Sequence, residues 1–145
     1  MDRIIYFIFC ALLFFSNSIR ATEPVVIAEA SLPETKLQRS DLVYIFTRQR
    51  MFWADGHKIK VFVKPSNSIE NKLFAINVLN LSPYKYRSLL DSVIYAGLNT
   101  PADEVSSDEE MLLKISSTPY SIGYLNYHTV ISNAYAPDIM IIHHE

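Results

Sequence analysis

The feature that most constrains this chain is a strand that runs into a helix through a loop of small polar residues. Asp55-Gly56 is a turn signal. Beyond it Lys58 to Val63 alternates, with Ile59, Val61 and Val63 on one side and Lys58, Lys60 and Phe62 on the other, as a strand does. Phe62 predicts that the second face is covered too. Lys64-Pro65-Ser66-Asn67-Ser68 breaks the alternation, and apolar residues resume at helical spacing from about Ser68. Ile69, Leu73 and Ile76 form the expected inward stripe, with Phe74 and Val78 beside it. A strand end that feeds a helix N-terminus is where α/β proteins place ligands, because free backbone N–H groups and the helix dipole converge there.

The flanking sequence predicts the order β-α-β-α-α-α-β-β. Val25 to Ala28 is a short β-branched run that suits a buried strand. A helix is expected over about Gln38 to Gln49, with Leu42, Ile45 and Phe46 inward and Arg48-Gln49-Arg50 at its negative end. Phe52 and Trp53 follow, either as aromatics closing the core edge or as a wall of a binding cleft. Ser82-Pro83 marks a helix start, and Tyr86, Leu89, Leu90, Val93 and Ile94 recur at full amphipathic spacing up to Gly97. Asn99 to Val105 reads as a loop. Ser107 with Glu110 forms a capping-box pattern ahead of Met111, Leu112 and Ile115, and Thr118-Pro119 stops that helix. Ser121 to Tyr127 is a strand in which Gly123 permits close backbone approach, Asn133 to Pro137 is a turn, and Ile139 to Ile142 is a last buried strand.

Composition matters chiefly at the N-terminus. Ile4 to Phe15 is an almost unbroken apolar run between Arg3 and the polar stretch that ends at Ala21. It is too short for a span of roughly 20 residues, and with a basic start and a small residue at Ala21 it predicts a secretory signal peptide over residues 1–21, with an uncleaved anchor as the rival reading. Residues 22–145 are then a single domain in the periplasm, with no membrane span after cleavage. Cys10 lies inside the removed segment behind Phe9, which disfavours lipidation, and the remainder has no cysteine for disulfides, thiolate chemistry or zinc–sulfur ligation. Without Asp2, Arg3 and Arg20 the net charge is −3. A mild acidic balance with no basic stripe gives no footprint for nucleic acid.

Taken in order, Phe46, Trp53, Asp55, Gly56, Phe74, Tyr95, Gly97, Pro119, Ile122, Gly123 and Tyr124 stand at the places that mark the short phosphate ABC transporter substrate-binding-like proteins, which the chain resembles over nearly all of residues 22–145. The resemblance implies an α/β fold, a three-layer-like mixed sheet with helices on its faces, like one lobe of a type 2 periplasmic binding protein. It also implies a hypothetical ligand site at Ser66, Asn67 and Ser68, with Trp53 and Lys72 nearby, and phosphate or another small oxyanion as the ligand. The chain departs from that pattern at the loop, which has lost its glycines and carries Pro65 without an N–H. An arginine usual before the helix phenylalanine is replaced around Asn71-Lys72, and Lys offers a point charge in place of a bidentate fork. Tyr120 stands where the resemblance places Gly, which implies a type I turn in place of type II.

Nothing in the sequence predicts an enzyme or a cofactor. His57, His128, His143 and His144 lack metal-motif spacing, and His143-His144-Glu145 reads as a solvated tail. Asp108-Glu109-Glu110 suits the first turn of a helix better than paired catalysis. No nucleophile elbow, phosphate-loop lysine or dinucleotide fingerprint is present. Two readings remain: a periplasmic solute-binding-like module for an oxyanion, or an envelope interaction protein that uses the same lobe against a protein partner. A face with Trp53, Phe52 and Tyr124 exposed together would favour a homodimer or such a partner.

Overall fold

The computed structural model describes residues 23–132 and 138–143, so the expected signal segment at residues 1–21 and the turn at residues 133–137 lie outside the described residues. In chain order the elements are β1 (Pro24–Glu29), α1 (Arg39–Phe46), β2 (Lys60–Val63), α2 (Ile69–Asn77), α3 (Pro83–Tyr95), β3 (Asp103–Glu104), α4 (Asp108–Ser117), β4 (Ser121–Asn126), α5 (Tyr127–Ser132) and β5 (Ile139–Ile142). The strands form one mixed sheet in the order β3-β2-β4-β1-β5. β2 runs parallel to β3 and β4, whereas β1 pairs antiparallel with β4 and β5.

Strand alternation divides the core into two layers. Val26 and Ala28 of β1, Val61 and Val63 of β2, and Ile122 and Tyr124 of β4 pack with Leu42, Ile45 and Phe46 of α1, Phe74 and Ala75 of α2 and Tyr86 of α3. The opposite sides of the same strands, Ile27, Phe62 and Leu125, pack with Met111 and Ile115 of α4. Helices therefore cover both faces, as Phe62 implied, and the sheet is buried between them. Phe74 is the hub of the first layer. Its ring stacks on Tyr124 at 3.7 Å between centroids and meets Phe46 edge-on at 4.7 Å.

The helix starts follow the caps in the sequence. Ser68, Ser82 and Ser107 each accept a hydrogen bond from the backbone N–H three residues on, from Asn71, Lys85 and Glu110 respectively. Other expectations need correction. α2 turns Asn71, Phe74 and Ala75 inward, and Ile69 and Ile76 are 62% and 49% exposed. The stacking of Phe74 on Tyr124 sets the helix rotation ahead of the aliphatic stripe. α1 ends at Phe46 because Arg48 takes φ 65°, a left-handed conformation. The loop at residues 99–105 contains the two-residue β3, and the expected strand to Tyr127 gives way to α5.

Tyr120 also corrects an expectation. Its φ is 61°, the left-handed conformation that a type I turn does not need. Three contacts hold it there: His57 stacks on its ring at 3.9 Å, and its carbonyl accepts hydrogen bonds from Trp53 Nε1 at 3.1 Å and from the Lys60 N–H at 3.2 Å. They offset a steric cost of about 1–2 kcal/mol for a residue with a Cβ.

Candidate functional site

The loop after β2 is held from below before it offers anything to solvent. The Lys64 N–H donates to Tyr124 Oη at 3.0 Å, and Asn71 Nδ2 donates to both Tyr124 Oη at 2.8 Å and the Lys64 carbonyl at 3.2 Å. Burial pushes the Tyr124 phenol well above its ordinary pKa, against the two donors that would favour the phenolate. The phenol thus stays neutral and acts as a fixed acceptor under the loop. Lys64, buried to 4% exposure, sends its ammonium away from the loop to Asp108 Oδ1 at 2.6 Å. Asp108 Oδ2 accepts from Thr129 Oγ1 at 2.7 Å. The cation nearest the loop in sequence is therefore occupied in tying β2 to the start of α4.

The two loop serines differ in role. Ser68 Oγ accepts from the Asn71 N–H and donates to the Pro65 carbonyl at 2.6 Å, so the α2 cap and the turn use both of its functions. Ser66 Oγ accepts from Arg87 Nη1 at 3.0 Å and keeps its own proton for another acceptor. Arg87 comes from α3 and also reaches both carboxylate oxygens of Asp91 at 3.1 and 3.3 Å. Between this pair, the loop and β3 lies a cavity of about 280 Å³, lined by Lys64, Ser66, Asn71, Arg87, Asp91 and Glu104 with Phe46, Leu90 and Ile94 as its apolar floor. Arg87 is a basic group that the sequence does not point to. It lies 21 residues from Ser66, and only the packing of α3 beside the loop joins them.

The expected site residues therefore separate. Ser66, Asn67 and Ser68 share the loop at the start of α2, and Asn67 is exposed. Lys72 is exposed on α2 and is not part of the cavity wall. Trp53 is 2% exposed, belongs to the core and donates its indole N–H to Tyr120, with Arg50 over its ring at 5.8 Å. It closes the core edge and does not face the cavity. Phe52 is 56% exposed, whereas Trp53 and Tyr124 are buried, so the three do not form one exposed face.

A smaller hollow of about 60 Å³ adjoins Arg48, Lys58, Lys60 and Asp103. Arg48 is 4% exposed, donates Nε–H to the Thr100 carbonyl at 3.1 Å, and has no partner for Nη1 among the described residues. Burial lowers its pKa, and the charge of Asp103 opposes that shift. Among the described residues there is no group of three or more His, Cys, Asp or Glu side chains arranged to hold a metal, and no helix is long and apolar enough to cross a membrane.

A mixed sheet covered by helices on both faces, with a strand-end loop opening a helix, is an α/β architecture whose ligand position is at the strand ends. The fold is that of one half of a phosphate ABC transporter substrate-binding protein. PstS from Borrelia burgdorferi superposes with a TM-score of 0.60 at 17% identity, over 85% of this chain and 47% of that one. An ABC-type phosphate transport receptor from Vibrio cholerae gives 0.58 at 14% identity, over 84% and 46%. A structure from Clostridium perfringens with bound phosphate gives 0.58 at 13% identity, over 84% and 44%. The chain thus spans less than half the length of these solved proteins. No family model and no curated protein sequence matches it.

Proposed function

We propose that this protein is a periplasmic solute-binding-like lobe that holds a small oxyanion, phosphate foremost, in the cavity beside the Ser66-Asn67-Ser68 loop. The observation that carries the reading is the 3.0 Å contact of Arg87 with Ser66 at the wall of that cavity. It sets a guanidinium beside a hydroxyl with a free proton, two donors of the kind a tetrahedral oxyanion needs, on the loop that opens α2. The fold it shares with a structure that holds bound phosphate and with a possible phosphate-binding protein supports the same reading.

Asp91 and Glu104 also line the cavity, and their charges oppose an anion. An open site with one fork and two nearby carboxylates sets a weak affinity, on the order of 0.1–1 mM. Calorimetry with phosphate, sulfate and arsenate tests this. Arg87→Ala and Ser66→Ala each remove the binding heat, while Lys72→Ala leaves it intact. The two carboxylates and the engagement of Lys64 by Asp108 favour a second reading, an envelope interaction protein that no longer takes a ligand. Absence of heat and of thermal stabilisation with all three anions selects that second reading.

A further inference from the structure

We propose that the solvent face of α3 is a two-fold interface between two copies of this chain. α3 turns Tyr86 and Val93 into the core. With 100° between successive residues, its opposite side carries Tyr84, Ser88, Asp91 and Tyr95. The two tyrosines are 84% and 86% exposed, and Leu98 just past the helix is 71% exposed. Arg87 flanks the middle of this stripe, paired with Asp91 in its own chain.

The stripe is complementary to itself when reversed. About a midpoint between residues 89 and 90, Tyr84 exchanges with Tyr95 and Ser88 with Asp91, and Arg87 falls within one residue of Asp91. An antiparallel copy laid along this face sets Tyr84 on the partner's Tyr95, the Ser88 hydroxyl against the partner's Asp91, and Arg87 beside that same carboxylate. Each contact then occurs twice, as an isologous interface requires. A parallel copy would set Asp91 on Asp91 and Arg87 on Arg87, which like-charge repulsion disfavours. Antiparallel helices also oppose their dipoles. The occupant this face fits is thus a second copy of itself, with aromatic rings at the ends and charge pairing between them.

A helix of 13 residues is roughly 20 Å long and presents less than the ~800 Å² per partner of a standard interface. The dimer is therefore weak, with a dissociation constant of about 10–100 μM. Arg87 and Asp91 belong to both the interface and the cavity wall, so a second copy lies beside the cavity mouth. The dimer stands on the stripe alone and does not require a bound anion.

Sedimentation equilibrium from about 5 μM to about 1 mM protein brackets that affinity. Two double variants test the register: Tyr84→Glu with Tyr95→Lys, and Tyr84→Lys with Tyr95→Lys. Both remove the same two rings from exposed positions, and circular dichroism checks that each keeps its fold. Within one chain the two sites are about 16 Å apart along the helix, beyond the ~10 Å screening length at moderate salt. Any direct interaction of residue 84 with residue 95 therefore arises between chains, and the effect of the residue 84 charge on Arg87 and on the helix end is read separately from the stability of each variant. The expected result is a wild-type dimer, with the opposite-charge variant associating at least about 10-fold more tightly than the like-charge variant and the gap closing at high salt. A wild-type protein that stays monomeric to the top of the range overturns the proposal. Equal association of the two variants overturns it as well.

Discussion

Gly123 shows how much one residue contributes to this architecture. It lies in β4 on the side facing α4, and a Cβ placed there would lie 2.6 Å from Met111 Sδ, 3.2 Å from Ile115 Cδ1 and 3.2 Å from the Phe62 carbonyl oxygen. Met111 is flexible enough to yield, but the backbone oxygen of β2 is not. Gly123→Ala is therefore expected to cost about 1–3 kcal/mol through overpacking, read as a lower urea midpoint with an unchanged slope. A cost within about 0.5 kcal/mol, the range of a neutral surface change, would show that α4 is free to move away. Arg48 and Tyr120 carry the opposite kind of constraint, since both adopt positive φ with a full side chain. Asn99 holds the Arg48 carbonyl through a 2.6 Å hydrogen bond, and His57 and Trp53 hold Tyr120.

Among the elements, α4 depends most on a buried charge. The acidic first turn, Asp108-Glu109-Glu110, suits the positive helix end, but only Asp108 reaches into the structure. It accepts from Lys64 Nζ and from Thr129 Oγ1, and so joins the loop after β2, α4 and α5. Removing it leaves the buried Lys64 ammonium without its carboxylate. Asp108→Ala is expected to cost about 3–5 kcal/mol, whereas Glu109→Ala, exposed on the same turn, stays within about 0.5 kcal/mol. Parallel urea melts of the two variants make the comparison, and equal effects would remove the pair from the account of how α4 docks. The same pair explains why Lys64 contributes no free charge to the loop.

For the whole molecule, the two phenols in the first core layer couple stability to pH. Tyr86 and Tyr124 are both buried, and burial pushes both pKa values up. Each stays neutral in the folded state while its unfolded counterpart ionises near pH 10. Above that pH the unfolded state binds fewer protons, so stability is fully present below about pH 10 and falls as pH rises toward the folded pKa values. The loss is on the order of 2–3 kcal/mol per pH unit for the two groups together. Urea melts on either side of about pH 10, with ultraviolet titration of the phenols, check this. Two tyrosines that ionise only as the chain unfolds are the expected signature.

Local chemistry in the sequence was enough to place the starts of the three capped helices and to show that the sheet is covered on both faces. Ser68, Ser82 and Ser107 are the helix caps that their positions imply. The alternation around Phe62 announced a sheet covered on both faces, and the ordered aromatics and glycines pointed to a binding-protein lobe. These features are short-range, so a linear reading captures them. The candidate site depended on tertiary structure. Ser66 meets Arg87, Lys64 turns away to Asp108, and Trp53 closes the core in place of a cleft. The rotation of α2 followed the stacking of Phe74 on Tyr124, two residues 50 positions apart in the sequence. Local periodicity indicates that a helix has an apolar side. Which residues of that side turn inward depends on the long-range partners packed against it.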